Sequence, residues 1–203
     1  MAESEARPDP TDGLPAMPVG EWAKDKHALL KLYIEISRAV RKKFIGAGKA
    51  GATFIDLYCA SGRAYIKGTD IFIDGSPLVS WTASRDCKVP FTQVHINDSD
   101  RQLLDAACTR LTRLGAPVVK HGGQALAVAE KLTTELNPYA LHFALIDPFN
   151  LMLPFGVIRY LARLKRIDLL VHVSAMDLQR NWARYTQQTH SPLDEFALGG
   201  VMR

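Results

Sequence analysis

The sequence predicts a doubly wound α/β fold, in which helices cover both faces of a mostly parallel sheet. Segments of strand character alternate with segments of helical periodicity along most of the 203 residues. The inner strands are continuous apolar runs, such as "FALI" at 143–146, which is typical of strands buried on both faces. A chain of 203 residues can also form one domain with a sizeable core.

The first twenty residues, "MAESEARPDPTDGLPAMPVG", are acidic and rich in proline, and they lack the apolar core of a signal peptide. We therefore expect a disordered tail over 1–20 and a single domain over 21–203. No apolar run reaches the length of a membrane span. Cys59, Cys87 and Cys108 fit no zinc spacing, and their odd number argues against a disulfide framework. These features predict a cytoplasmic protein with reduced thiols and no metal site.

The first half of the chain begins with a predicted helix over 24–45, which the glycine-rich stretch "GAGKAG" ends. Its apolar residues recur at three- and four-residue steps and form one stripe: Leu29, Leu32, Tyr33, Ile36, Val40 and Phe44. A buried strand follows over 53–58. After a loop, Ser76 is placed to cap a short helix with Pro77 in its first turn.

The second half of the chain alternates strands with helices. The predicted strands are 91–97, 117–121, 141–149 and 167–174. The predicted helices are 98–115, with acids at its start and Gly115 at its end, 124–136, and 154–165, which begins at Pro154.

Polar residues and small residues end the strands of this predicted sheet. Because ligands of such sheets lie beyond the carboxyl ends of the strands, these residues are candidates for a binding site. The loop after the first predicted strand lacks the fingerprint G-x-G-x-x-G and keeps only Gly62, which disfavours a pyrophosphate and favours a cofactor without phosphates, S-adenosylmethionine. The predicted cofactor-binding residues are Asp56, Ala60, Ser61, Gly62, Asn97 and Asp98. The alternative for Asp56 alone is an aspartate that caps a turn.

The fourth predicted strand ends in "IDPFN", which we take as the catalytic motif: Asp147, Pro148 and Phe149. An acid and a main-chain carbonyl can accept hydrogen bonds from a target amine and so orient its lone pair towards a methyl donor. The aromatic ring can stack on a planar base, and catalysis is then mainly positioning. The alternative is that Asp147 caps the loop before Pro154.

Between positions 24 and 49 the chain carries eight basic residues against two acidic ones. Such a helix is suited to binding phosphates. The candidates for contact with nucleic acid or with a protein partner are Lys24, Lys26, Arg41, Lys42 and Lys43. The alternative is an ordinary solvated helix face.

Four stretches together resemble the three-Cys-motif partner protein family, TcmP: "EWAKDKHALLKLYI", "FIDLYCASGR", "GSPLVS" and "FALIDPFN". The residues that match the family pattern are Trp22, Lys26, Asp56, Gly62, Arg63, Gly75, Ser76, Pro77, Asp147, Pro148 and Phe149. The resemblance covers 22–182 and implies a Rossmann-like fold of the class I methyltransferase type. It also implies association with a protein that bears an iron–sulfur-type motif of three cysteines. Those cysteines belong to the partner, so the cysteines of this chain are not implicated.

The sequence departs from the family pattern at three places. Ala60 replaces a glycine and narrows the expected cofactor pocket, Asn97 stands where an acid is expected, with Asp98 next to it, and Asn150 replaces the final glycine. The two last strands of a full methyltransferase sheet are not found in "HSPLDEFALGGVMR", so we expect a truncated chain or a smaller sheet.

Two main hypotheses follow for function. The first is an S-adenosylmethionine-dependent methyltransferase that acts on an exocyclic amine of a nucleic-acid base. "DPF" supports it, because the motif is also similar to that of the tRNA guanine-N2-dimethyltransferases. The second is an accessory subunit that kept the fold and lost catalysis, which Ala60 and the missing strands favour. A nucleotide-processing enzyme is a third option, but no phosphate loop or metal cluster supports it.

Overall fold

The computed structural model describes residues 6–149, 153–188, 191 and 194. The strands are β1 (Arg7–Pro8), β2 (Pro15–Val19), β3 (Ala52–Asp56), β4 (Arg63–Ile66), β5 (Phe72–Asp74), β6 (Gln93–Asp98), β7 (Val118–Gly122), β8 (Leu141–Ile146) and β9 (Ile167–Val171). The helices are α1 (Ala23–Ile36), α2 (Arg38–Lys42), α3 (Ser76–Asp86), α4 (Arg101–Arg113), α5 (Ala125–Glu135), α6 (Phe155–Leu161) and α7 (Ala175–Gln187).

The main sheet has five strands in the order β7-β6-β3-β8-β9, and all of its pairings are parallel. This sheet confirms the predicted doubly wound α/β fold. The chain begins the sheet in the middle, at β3, builds outward to β7, and then returns to place β8 on the other side of β3. The strand order therefore reverses between β3 and β8, and such a reversal opens a ligand-binding crevice at the carboxyl ends.

Helices cover both faces of this sheet because successive residues of each inner strand point to opposite sides. On one side, Phe54 of β3 packs with residues of α1, α3 and α4. On the other side, its neighbour Ile55 packs with residues of α5 and α6. The continuous apolar runs of β3 and β8 thus serve two separate cores, as the sequence indicated.

A second sheet contains strands from residues 6–20, the described part of the segment that the sequence assigned to a disordered tail. Its order is β1-β2-β4-β5, with β2 parallel to β4 and the hairpin of β4 and β5 inserted between β3 and α3. The prediction of disorder is wrong for this segment because two of its acids are paired. The carboxylate of Asp9 accepts from Arg63 at 2.7 Å, and that of Asp12 accepts from Arg110 at 2.7 and 2.8 Å.

The predicted helix over 24–45 is divided at Ser37 into α1 and α2. Leu30 and Ile34 form the buried face of α1, while Leu29, Leu32 and Ile36 are more than half exposed. Four of the six residues of the predicted stripe, Val40 among them, therefore lie on the solvent side, whereas Tyr33 packs against the core and stacks on Phe143.

The remaining predicted elements are found with shifted ends, and the hairpin of β4 and β5 and the helix α7 were not predicted. The last strands expected of a full methyltransferase sheet would fall on a part of the chain that lies largely outside the described residues. Within the described ranges, no helix is long and apolar enough to cross a membrane.

Candidate functional site

Polar side chains from four neighbouring strands meet at the carboxyl edge of the main sheet. Asp56 ends β3 and Asp98 ends β6, while Asp147 follows β8 and His172 follows β9. Asp56 and Asp147 stand on the two sides of the reversal in strand order. The fold therefore brings together three of the predicted acids at the place where ligands of such sheets bind.

Asp56 is completely buried and is bonded to the protein itself. Its Oδ2 accepts from the Ser76 hydroxyl at 2.6 Å, and its Oδ1 accepts from the Tyr58 N–H at 3.2 Å. Burial raises the pKa of Asp56 to about 7, and the nearby charge of Asp147 adds to that rise. Here the carboxyl fixes the start of α3 to the end of β3, and none of its surface is exposed.

Hydrogen bonds of the backbone hold the loop after β3, residues 57–62, in place. Ala60 has a left-handed φ of 45°, and its N–H donates to Asp98 Oδ2 at 3.0 Å. Gly62 has a φ of 75°, and its carbonyl accepts from the Gly75 N–H at 2.8 Å. A Cβ on Gly75 would lie 2.9 Å from the Gly62 carbonyl carbon and oxygen, so this close approach needs glycine.

Two of the predicted cofactor ligands are turned into the protein. Ser61 is buried and donates to the Arg63 carbonyl at 2.8 Å. Asn97 is also buried, and its Nδ2 donates to the Leu57 and Gly123 carbonyls, at 3.1 Å each. Both side chains thus hold the loops in place, while Asn97 Oδ1 keeps no hydrogen-bond partner among the described residues.

Asp98 is the predicted cofactor ligand that keeps a partly exposed carboxylate. It accepts from the N–H groups of Ala60 and Asp100, at 3.0 and 2.9 Å. Burial raises the pKa of Asp98, and these backbone hydrogen bonds oppose that rise. The position beside the loop after β3 suits a carboxylate that accepts from the hydroxyls of a ribose.

Asp147 lies in an ion-pair cluster. One oxygen pairs with Lys26 of α1, and the other lies 2.8 Å from His172 Nδ1. The His172 ring stacks on Trp22, with 5.5 Å between centroids, and Lys26 Nζ lies 4.7 Å from the Trp22 ring centroid. The Trp-x-x-x-Lys motif and the Asp-Pro-Phe motif, more than a hundred residues apart, therefore build one site.

The other two residues of the predicted catalytic motif differ in exposure. Pro148 is buried, whereas Phe149 is 80% exposed beside Asp147. Asn150, which follows, lies outside the described residues. The sequence reasoning missed His172, and a polar residue directly after the fifth parallel strand was the signal that would have found it.

Only some of the basic residues that were predicted to form a binding surface are exposed. Arg41 is buried, donates to the Val89 and Ile34 carbonyls at 2.8 and 2.9 Å, and lies over the Phe91 ring. The prediction that Arg41 contacts nucleic acid or a partner is therefore wrong, because its charge serves the interior of the protein. Lys42 and Lys43 are exposed.

The other two predicted basic contacts already have partners within the chain. Lys24 is exposed and pairs with Glu21 at 3.2 Å. Lys26 belongs to the Asp147 cluster instead of an open basic surface.

Comparison with known proteins gives the fold of the chain and no family. No family model matches, and no curated protein matches. A 2.2 Å crystal structure of WbdD is 13% identical, with a TM-score of 0.50, over 85% of this chain and 33% of that one. A medium-resolution structure, described as the bifunctional kinase-methyltransferase WbdD, is 13% identical, with a TM-score of 0.44, over 76% of this chain and 29% of that one. The chain thus spans about a third of the solved chains that it matches. At 13% identity, the likeness to the 2.2 Å structure of WbdD shows the Rossmann-like fold alone.

Proposed function

We propose that this chain is an S-adenosylmethionine-dependent methyltransferase that acts on an exocyclic amine of a nucleic-acid base. The observation that carries the proposal is the position of Asp98 and Asp147 on two sides of β3, at the carboxyl edge where the strand order reverses. In this proposal Asp98 binds the cofactor and Asp147 belongs to the acceptor side of the site. The likeness to WbdD, described as a kinase-methyltransferase, contributes the fold only.

The residues at the end of β6 fit a cofactor that carries a ribose and no phosphate. Asp98 offers a partly exposed carboxylate, and Asn97 Oδ1 is a buried acceptor that has no hydrogen-bond partner among the described residues. The loop after β3, residues 57–62, contains one glycine, Gly62. A pyrophosphate needs a loop with more glycines. S-adenosylmethionine, when bound, supplies a methyl group that is already activated as a sulfonium.

The acceptor side of the site is formed by the residues after β8. Phe149, 80% exposed, offers a ring on which a planar base can stack. A base that belongs to a duplex has to leave its stack to reach this edge. Lys42 and Lys43 add exposed positive charge on α2 and the residue after it, which suits a phosphate backbone.

A second candidate function is an accessory subunit that partners a protein with an iron–sulfur-type motif of three cysteines. Two observations favour it. The Ala60 N–H is already bonded to Asp98, and both oxygens of Asp147 are occupied by side chains of the protein itself. In this alternative the polar cluster stabilises the fold and has no acceptor.

Isothermal calorimetry with S-adenosylhomocysteine tests the cofactor site directly. Asp98→Asn should weaken binding by about 10- to 150-fold, because a charge-assisted hydrogen bond contributes roughly 1.5–3 kcal/mol. Asp105→Asn, which changes an exposed acid of α4, should leave the affinity unchanged. If the wild-type protein releases no heat with S-adenosylhomocysteine, the methyltransferase proposal fails and the accessory subunit is favoured.

Transfer of tritiated methyl groups from S-adenosylmethionine to total transfer RNA tests the acceptor. Label in an exocyclic N-methyl nucleoside supports the proposal. Cofactor binding without transfer to RNA or to single-stranded DNA rejects the proposed acceptor.

A further inference from the structure

We infer that His172 receives the proton that the acceptor amine releases on methylation, and that Asp147 positions His172 for this step. The inference rests on the proposed function and assigns its proton-accepting residue. It also changes the role of Asp147 from a group that contacts the acceptor to a positioning residue.

The two residues form a dyad because their strands are neighbours. β8 and β9 pair in parallel with Ile146 opposite Val171, so the next residue of each strand, Asp147 and His172, emerges at the same height. The distance from Asp147 Oδ1 to His172 Nδ1 is 2.8 Å. At this distance the carboxylate can accept from Nδ1, so the inference assigns the ring proton to Nδ1 and the lone pair to Nε2.

The surroundings of the dyad hold both of its members in one orientation. Lys26 pairs with the second oxygen of Asp147 and so fixes the rotation of the carboxylate. Trp22 stacks on the His172 ring at an interplanar angle of 15°. Among the described residues, His172 Nε2 has no hydrogen-bond partner, and one third of the side chain is exposed. The lone pair of Nε2 is therefore the basic group of the cluster that an acceptor can reach.

Methylation of an amine releases a proton, which such a group can accept. The amine nitrogen attacks the methyl carbon, the new nitrogen–carbon bond forms, and the carbon–sulfur bond breaks with its electron pair going to sulfur. The sulfonium becomes a neutral thioether, and the positive charge passes to the nitrogen, which still carries its protons. One proton then moves to His172 Nε2, and the imidazolium is stabilised by Asp147. The products are a neutral methylated amine and a protonated histidine, which returns its proton to water.

The first test uses the intact chain and needs no acceptor. Long-range ¹H–¹⁵N correlation spectra of the histidine rings should show His172 as the Nδ1–H tautomer. Asp147→Asn, which keeps the shape of the side chain, should abolish that preference. Asp168→Asn, an exposed acid on β9, is the control and should not change it. An Nε2–H tautomer in the wild type overturns the inference.

The second test measures whether Nε2 lies beside the cofactor. Diethyl pyrocarbonate should modify His172 at least tenfold faster than the buried His142, as followed by peptide mass spectrometry. Saturating S-adenosylhomocysteine should slow the modification of His172 at least fivefold. If calorimetry shows that S-adenosylhomocysteine binds and the modification rate does not change, His172 is not part of the site and the inference fails. If no binding is detected, the proposed function itself fails.

The third test measures methyl transfer to total transfer RNA. His172→Ala should reduce the single-turnover rate at least 100-fold with unchanged affinity for S-adenosylhomocysteine, and added imidazole should restore part of the rate. His172→Ala that transfers methyl groups at the wild-type rate, or that imidazole does not rescue, contradicts a proton-accepting role.

Discussion

The guanidinium of Arg110 contacts both carboxylate oxygens of Asp12, at 2.7 and 2.8 Å. The same guanidinium donates to the Ser61 carbonyl at 2.7 Å. One buried cation of α4 therefore joins the N-terminal segment to the loop after β3. These hydrogen bonds hold the pKa of Asp12 below its usual value.

Arg110→Met should destabilise the protein by about 3–5 kcal/mol, because it leaves the largely buried carboxylate of Asp12 without an opposite charge, with only the Leu14 N–H still donating to it. Urea denaturation measures the change. Arg113→Met, on the exposed side of the same helix, should change the free energy of unfolding by less than about 0.5 kcal/mol. Limited proteolysis should cut the Arg110→Met chain first between residues 6 and 20. Equal stability of the two variants would show that the Arg110–Asp12 pair is unimportant.

The buried carboxyl of Asp56 should make stability depend on pH. Its pKa in the folded protein is about 7, above the ordinary value of 3.8, so the folded state binds this proton more tightly than the unfolded state. The stabilisation is complete below the ordinary value and is lost as the pH rises through about 7. Between pH 4 and pH 8, wild-type protein should therefore lose up to roughly 4 kcal/mol relative to Asp56→Asn.

Urea titrations at several pH values measure this difference. Asp70→Asn, at a fully exposed position, is the control and should follow the wild type at every pH. A constant difference between Asp56→Asn and wild type across this range would refute the raised pKa.

Ala60→Gly should stabilise the protein by up to about 1 kcal/mol. The left-handed φ of 45° strains an alanine, and glycine removes that strain at some cost in the entropy of the unfolded chain. Ala127→Gly, at an exposed position in the interior of α5, is the control and should instead destabilise by about 0.5–1 kcal/mol. Thermal melts of both variants test the prediction, and destabilisation of both by the same amount would contradict it.

Gly75→Ala should destabilise the protein by about 1–3 kcal/mol, because the added methyl group meets rigid backbone atoms of Gly62. Gly156→Ala places its methyl group near the end of the flexible Leu126 side chain, so it should cost less. Chemical denaturation of the pair separates a backbone clash from a side-chain clash. The expectation fails if the Gly156 variant is the less stable of the two.

The exposed lysines of α2 and the next residue should control any binding of nucleic acid. Replacing Lys42 and Lys43 together by alanine should lower the salt slope for single-stranded RNA by about 1.4. Replacing Lys131 and Lys165, which are exposed elsewhere, is the control for net charge. Arg41→Ala should instead lower the melting temperature, since its guanidinium is buried. Fluorescence anisotropy across a salt series gives the slopes, and a slope near zero for the wild type excludes a nucleic-acid surface.

The sequence allowed the main sheet to be predicted because alternating strands and helices are a local signal. The acids of the site were predicted by the same logic, since the carboxyl ends of parallel strands meet at one edge. The pairing of Asp12 with Arg110 was not predictable in this way, because composition counts charges and does not show which of them meet. The buried Arg41 was missed for the same reason. The prediction of which face of α1 is buried was wrong because Leu29 and Leu30 are equally apolar. Only tertiary packing determines which of the two is buried.

The parallel pairing of β2 with β4 has a consequence for any shortened version of the protein. Met17, Pro18 and Val19 cover the edge of β4 from Ala64 to Ile66. Deletion of residues 1–20 would leave the backbone N–H and C=O groups on this edge of β4 unpaired. An exposed strand edge of this kind can pair with a strand of another molecule and so promotes aggregation. The shortened protein should therefore aggregate on storage, as measured by light scattering, while the longer chain stays monomeric. This is expected although the deleted residues lie outside the five-stranded sheet.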